Sequence, residues 1–233
     1  MNIRKFNGEI VVITDLSKTA KEVKIKLSEP IDFNSGSFMN VFFDINGEIV
    51  RRAYSISSSS DDHGYITFTI RLSPNGLVTP IFWNKNMIGQ KVELMGPLGL
   101  NTIDKMNHDK IYLFAFGVGV GVVKSIADYF SNYKKVNNLT IITGSRSEDE
   151  ILYDLYFKEL ANSHKNVSVL NVVSKSEENS KIPKGYIQDF IDNLDFNNSD
   201  IYVCGQEKAC NDLISKVNSM SHNDCSLFIE GFH

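Results

Sequence analysis

Residues 111–116, Ile-Tyr-Leu-Phe-Ala-Phe, form an unbroken apolar run that ends in three glycines within five residues, Gly117-Val118-Gly119-Val120-Gly121. Val122, Val123, Ile126, Ala127 and Phe130 then recur at helical spacing. A buried strand, a sharp turn and a helix in that order open a crossover unit, and the pattern continues downstream. Residues 140–143 read as a strand, 149–160 as a helix, 167–173 as a strand and 186–194 as a helix. Residues 201–204 read as a strand, 207–220 as a helix and 227–229 as a closing strand. Alternating strands and helices imply a parallel sheet with helices on both faces.

The first hundred residues follow a different rhythm. Residues 9–13 are a short apolar run, and 23–27 and 65–72 alternate as half-buried strands do. Asn46-Gly47 separates two strand-like runs, 39–44 and 49–54, and both of its residues tolerate positive φ, which marks a hairpin. Ser73-Pro74-Asn75-Gly76 is a turn by composition, 77–84 a short helix and 91–95 a last strand. Short strands with turns between them predict a small antiparallel barrel. The polar stretch 101–110 reads as a linker, and 233 residues, at roughly 150 per domain, allow two small domains.

Composition removes several functions. Hydrophobic residues are 42% and charged residues 22%, an ordinary globular balance. Acids outnumber bases 28 to 24, so a basic nucleic-acid footprint is absent. No run approaches the ~20 apolar residues that span a bilayer. The start, residues 1–9, is too polar for a secretory signal. Cys204, Cys210 and Cys225 are few and odd in number, which fits a reducing cytoplasm. Three cysteines cannot hold a four-cysteine iron–sulfur cluster, and their spacing matches no metal motif.

Four patches can carry chemistry. Arg51-Arg52-Ala53-Tyr54-Ser55 ends a barrel strand, with Arg52 and Tyr54 on one face. An arginine neutralises a phosphate and a tyrosine covers an aromatic ring, although the same pentapeptide suits a solvated strand edge. Thr79, after Gly76-Leu77-Val78, stands where a short helix begins: an anion site beside a phosphate, an ordinary first turn otherwise. The glycines at Gly117 and Gly119 let the backbone approach a phosphate at a helix N-terminus. Their spacing is not G-x-G-x-x-G, so a plain tight turn fits as well. Cys204-Gly205 ends another buried strand, where a small soft side chain borders a planar ring or simply fills the core.

The order of these patches resembles the ferredoxin–NAD(P)+ reductase-like flavoprotein superfamily. Arg52-Ala53-Tyr54-Ser55 matches its R-x-Y-S flavin motif, Gly76-Leu77-Val78-Thr79 its G-x-V-S/T pyrophosphate loop, and Gly96-Pro97-Leu98-Gly99 its G-P-x-G turn. Residues 115–122 align with A-G-G-T-G-I-A-P, Thr143-Gly144-Ser145-Arg146-Ser147 with a G-x-R-T segment, Tyr202-Val203-Cys204-Gly205 with Y-V-C-G, and Glu230-Gly231-Phe232 with E-x-F/Y. Phe116, Val118, Val122 and Gln206 depart from the pattern, which touches the nucleotide loop more than the flavin motifs.

The resemblance implies an antiparallel FAD-binding β-barrel over residues 1–102 and a Rossmann-like parallel α/β domain binding NAD(P) over 103–233. It implies that Arg52 binds the flavin phosphate, Tyr54 packs on the isoalloxazine beside Ala53, and Ser55 bonds near N5. Gly76, Leu77, Val78 and Thr79 would hold the pyrophosphate; Gly117, Val118 and Gly119 would line the pyridine-nucleotide pocket. Cys204 and Gly205 would sit near nicotinamide C4, Glu230 in the polar network around it, and Phe232 over the flavin or in a terminal packing contact. Arg146 and Lys175 end successive strands where two cations suit the 2′-phosphate of NADP, or Arg146 serves the adenine side of NAD and NADP alike. The implied activity is hydride transfer from NAD(P)H to FAD, with electrons leaving for a separate redox protein: a ferredoxin, a flavodoxin or an oxygenase component. Two alternatives are a free-flavin reductase, which the pyrophosphate loop disfavours, and an electron-transfer subunit with weak nucleotide use, which Val118 and Val122 motivate.

Overall fold

A computed structural model describes residues 3–132, 134, 136–176 and 179–232; Met1 and Asn2 of the polar start lie outside them. In the first half, β1 (Arg4–Asp15), β2 (Ala20–Leu27), β3 (Phe38–Ile45), β4 (Glu48–Ser55), β5 (Tyr65–Arg71) and β6 (Lys91–Leu98) form one antiparallel sheet, and α1 (Thr79–Asn84) precedes β6. Its order is β4-β3-β6-β1-β2-β5, so the sheet curls into a half-barrel with β4 and β5 at its edges. Those edges touch through a bridge between Ile56 and Phe68. Alternation puts Val23, Ile25 and Leu27 of β2 into the barrel core with Phe68 and Ile70 of β5. Asn46 and Gly47 take φ of 56° and 88°, as the hairpin requires.

The second half comprises β7 (Lys110–Phe116), α2 (Val120–Asn132), β8 (Asn138–Ser145), α3 (Asp154–Ser163), β9 (Val167–Val173), β10 (Ser199–Gln206), α4 (Glu207–Ser219) and β11 (Cys225–Phe232). The parallel order β11-β10-β7-β8-β9 sets the two strands that precede helices α2 and α4 side by side at the centre. Both faces of β7 are buried. Ile111, Leu113 and Ala115 meet α2 and α3, whereas Tyr112 and Phe114 pack with Leu213 and Val217 of α4. That double burial explains the run without alternation.

Two predicted helices need correction. The one expected over 149–160 begins at Asp154, because residues 148–150 make a 3-10 turn and Tyr153 is left-handed. The one expected over 186–194 is a single 3-10 turn, Ile187–Phe190, whose Ile187 and neighbouring Ile191 are buried against the sheet. The stretch 101–110 is less of a free linker than its polarity suggests: Ile103 and Met106 enter the core beneath α2.

Candidate active site

The carboxyl ends of the parallel strands face the edges of the half-barrel, and two cavities open between them. The smaller, about 280 Å³, is bordered by Ala53, Tyr54, Ser55, Thr69, Gly119, Gly121 and Cys204. The larger, about 970 Å³, is bordered by Gly117, Ser145, Arg146, Glu150, Tyr186, Gln188 and Lys208, with Thr19 and Ala20 of the barrel as one wall. Arg71, Val118 and Phe232 border both, and so form the partition between them.

Close approach explains the glycines. A Cβ on Gly119 would lie 2.4 Å from the Cys204 carbonyl oxygen, so no side chain fits between the turn and β10. A Cβ on Gly117 would lie 3.2 Å from Arg71 Nη1, which places the guanidinium over the glycine turn. Arg71 ends β5 and was missed by motif reading; its signal was a lone charge at the end of an otherwise buried strand.

Ser55, Cys204 and Glu230 converge from β4, β10 and β11. The Ser55 hydroxyl donates to Glu230 Oε2 at 3.3 Å. Cys204 and Glu230 are register partners on adjacent strands. Burial pushes the Glu230 carboxyl up to about 7, against the opposing pull of the Tyr202 and Ser55 hydroxyls. The Tyr202 hydroxyl is buried beside this carboxylate without a hydrogen bond of ordinary geometry. Burial, and then the Glu230 carboxylate, raise the Cys204 thiol well above its usual range. Cys204 is therefore a neutral, compact neighbour rather than a thiolate nucleophile.

Arg52, the Gly76–Thr79 loop, Gly205 and Lys175 border neither cavity. Arg52 donates through Nη1 to its neighbour's carbonyl, Arg51 O, at 2.8 Å. Val78 is buried in the barrel core, Leu77 is exposed, and Gly76 is bonded back to Ser73 O at 2.9 Å. Thr79 Oγ1 accepts the Ser73 N–H at 2.9 Å, so the loop holds Ser73 on the rim of the smaller cavity. Gly205, at φ 152°, packs against Phe116 rather than into a cavity. Lys175 is exposed and outside the larger cavity; its backbone N–H bonds Arg146 O at 2.8 Å.

The residues fit a planar flavin and a dinucleotide. Burial pushes the Tyr54 phenol up to about 12, and its hydroxyl is buried without a partner among the described residues. Gln188 Oε1, on the wall of the larger cavity, is likewise buried and unpartnered. Orphaned polar atoms of this kind ask for a ligand or water. Among the described residues no group of His, Cys, Asp or Glu could hold a metal, and no helix is long and apolar enough to cross a membrane.

Two family models match, an oxidoreductase FAD-binding domain over residues 7–102 and an oxidoreductase NAD-binding domain over 113–213. The reductase component of phenol 2-monooxygenase from Pseudomonas sp. (strain CF600) is 24% identical over 99% of this chain and 66% of its own length. The glycine betaine monooxygenase reductase subunit of Pseudomonas aeruginosa (strain UCBPP-PA14) is 31% identical over 59% of the chain and 37% of its own length, so the chain spans less than two thirds of these relatives. The ferredoxin–NAD(P)+ reductase component of the naphthalene 1,2-dioxygenase system of Pseudomonas putida is 23% identical over 99% of the chain and 70% of its own length. Among solved structures, the ferredoxin reductase in carbazole 1,9a-dioxygenase superposes with a TM-score of 0.86 at 20% identity, covering 100% of this chain and 70% of that one.

Proposed function

The chain belongs to the ferredoxin–NAD(P)+ reductase-like superfamily of FAD- and NAD(P)-binding oxidoreductases, and we propose that it passes hydride from NAD(P)H to FAD and electrons onward to a separate redox protein. The observation that carries this reading is the shared partition: Arg71, Val118 and Phe232 border both cavities, so rings seated in each would meet there. Bound flavin would supply the hydride acceptor and the route to one- or two-electron acceptors.

The chain's own groups have definable parts. Residues 1–102 would bind FAD, with Ala53 and Tyr54 against the ring system, Arg52 at its phosphate and the Gly76–Thr79 loop steadying the rim. Residues 103–233 would bind the dinucleotide, with the Gly117–Gly119 turn and Arg71 at its diphosphate. Arg71 brings a charged fork to that turn from the other half of the molecule. Glu230, when protonated, would donate to Ser55 Oγ and leave the Ser55 proton free for the reacting edge. Cys204 would leave a neutral, compact surface where the two rings meet, with Gly205 packed against Phe116 beside it. Hydride transfer itself needs alignment more than acid–base help, so holding the two rings in contact is the main contribution. Arg146 stands in the larger cavity and Lys175 outside it, which leaves one of the two expected cations to serve NADP or NAD. Relatives that are reductase components of oxygenase systems support a ferredoxin or an oxygenase component as the acceptor.

The test begins with the purified protein, which should be yellow and release one flavin on acid treatment. Arg52→Ala should weaken flavin retention by about 1.5–3 kcal/mol, the worth of a charge-assisted hydrogen bond. Stopped-flow bleaching by NADH and NADPH then reads hydride transfer and coenzyme choice together. A colourless protein that also fails to bind added FAD would remove the reading.

A further inference from the structure

Tyr153 holds a backbone conformation that needs a cause. Its φ of 57° and ψ of 27° are left-handed, a region a bulky aromatic seldom occupies. Among the described residues, the other non-glycine positions with positive φ are Asn46, Asn179, Asn198 and Asp224, types whose short polar side chains tolerate it. Backbone strain of this kind persists where surrounding contacts over-determine it.

Those contacts cross the molecule. From the start of α3, the Tyr153 hydroxyl donates to Glu22 Oε2 of β2 at 2.8 Å. With its proton so committed, it accepts from the Thr69 hydroxyl of β5 at 2.7 Å. Thr69 borders the smaller cavity, and so does Gly121 of α2. Lys124 Nζ of α2 lies over the ring, 5.9 Å from its centroid. Three residues earlier in the same connection, Glu150 Oε2 accepts from the Ser17 and Thr19 hydroxyls of the β1–β2 turn at 2.9 and 2.6 Å, on the wall of the larger cavity. The connection from β8 to α3 is therefore pinned to the barrel beside each cavity. Burial, and then the Glu22 carboxylate, keep the Tyr153 phenol protonated.

We propose that Tyr153 is a positioning residue: its hydroxyl, held between Glu22 and Thr69, fixes where the parallel sheet stands against the barrel, and with it the alignment of the two cavities. The consequence for hydride transfer rests on the function proposed above; the mechanical role does not. Tyr153→Phe deletes the hydroxyl and keeps the ring. In the protein as purified, amide exchange at residues 69–71 and 121–123 should become about tenfold faster, with 111–115 unchanged. In the flavin-loaded enzyme the bleaching rate should fall roughly tenfold while nucleotide Kd and flavin retention hold, because a small misalignment costs rate before affinity. Glu22→Gln, which keeps an acceptor, should stay near wild type, and Glu22→Leu should match Tyr153→Phe. Unchanged exchange at the seam in Tyr153→Phe would overturn the proposal. So would a faster seam with a normal bleaching rate, or a Glu22→Leu protein that behaves as wild type. If the wild type binds no flavin, the functional reading fails, while the exchange comparison still decides the latch.

Discussion

At the amino-terminal edge of the parallel sheet, Asp200 accepts the His108 backbone N–H at 2.9 Å, its carboxylate lies 2.7 Å from the His108 ring, and the far ring nitrogen stands 3.3 Å from Asp224. Nearby, Lys110 donates to Asp195 Oδ2 at 2.6 Å and Tyr112 to Asp195 O at 2.8 Å. At the carboxyl-terminal edge the neighbouring turn leaves Gln188 Oε1 buried without a partner among the described residues, and burial holds Glu230 largely protonated below about pH 7. One edge spends its polar groups on each other; the other keeps them for something that binds. Saturated networks hold a fold together, whereas incomplete ones mark where a fold acts.

The largest effect should come from breaking the saturated edge. Asp200→Ala strips a 1% exposed carboxylate from a histidine it holds at backbone and ring, and should cost about 3 kcal/mol in urea unfolding. Flavin retention should not change; if it falls in step with stability, the edges are not independent. Next, Arg71→Ala, which removes the barrel's guanidinium from over the Gly117 turn of the open edge, should raise the nucleotide Kd about ten- to hundredfold, the equivalent of roughly 1.5–3 kcal/mol, with little change in unfolding. A destabilised protein with normal nucleotide binding would assign Arg71 to the scaffold instead.

The smallest effect is in pH dependence, and it separates the edges by cause. Glu230 is raised from 4.5 to about 7 because burial favours its neutral form. Its stabilising contribution is full below pH 4.5 and is lost as pH rises through about 7. His108 is raised above 6.5 by its hydrogen bond to Asp200, because the charged form is favoured. Its contribution is full below 6.5 and is lost as pH rises through its elevated folded value. Glu230→Gln should therefore flatten unfolding free energy between pH 4.5 and 7, whereas His108→Asn should flatten it only above 6.5. Identical profiles for the two variants would mean that one of these groups titrates as it does in the unfolded chain.

Sequence pattern carried the strands well, since period-2 alternation in β2 and double burial in β7 each leave a direct signature. The helix expected after Lys184 failed because Ile187 and Ile191 are spaced as a helix face would be, yet each is buried at the sheet in its own turn. Within the site, the residues carried by motifs from both halves meet: Ala53, Tyr54 and Ser55 face Val118, Gly119 and Cys204 across one cavity. Arg71, Thr69, Glu22 and Tyr153 were not legible. Each is an ordinary residue locally, and its meaning comes from a contact between segments far apart in the chain. Lys175 shows the converse, a charge well placed in sequence whose side chain lies away from the cavity.

The Ser125 hydroxyl donates to Ser58 O at 2.6 Å and contacts the Ser35 hydroxyl at 2.9 Å, so the boundary between the halves here is lined by alcohols rather than hydrocarbon. Heat capacity of unfolding follows exposed apolar area and is reduced by polar area. Parting these serine contacts would then add no positive heat-capacity increment, and the apolar surfaces would carry the curvature of stability with temperature. Cooling would weaken each core while leaving the serine contacts nearly untouched. Ala20 and Leu16, which pack into the core of the parallel half, share that core's response to temperature, so the setting of the two halves is steadied on cooling by the serines rather than by these apolar contacts.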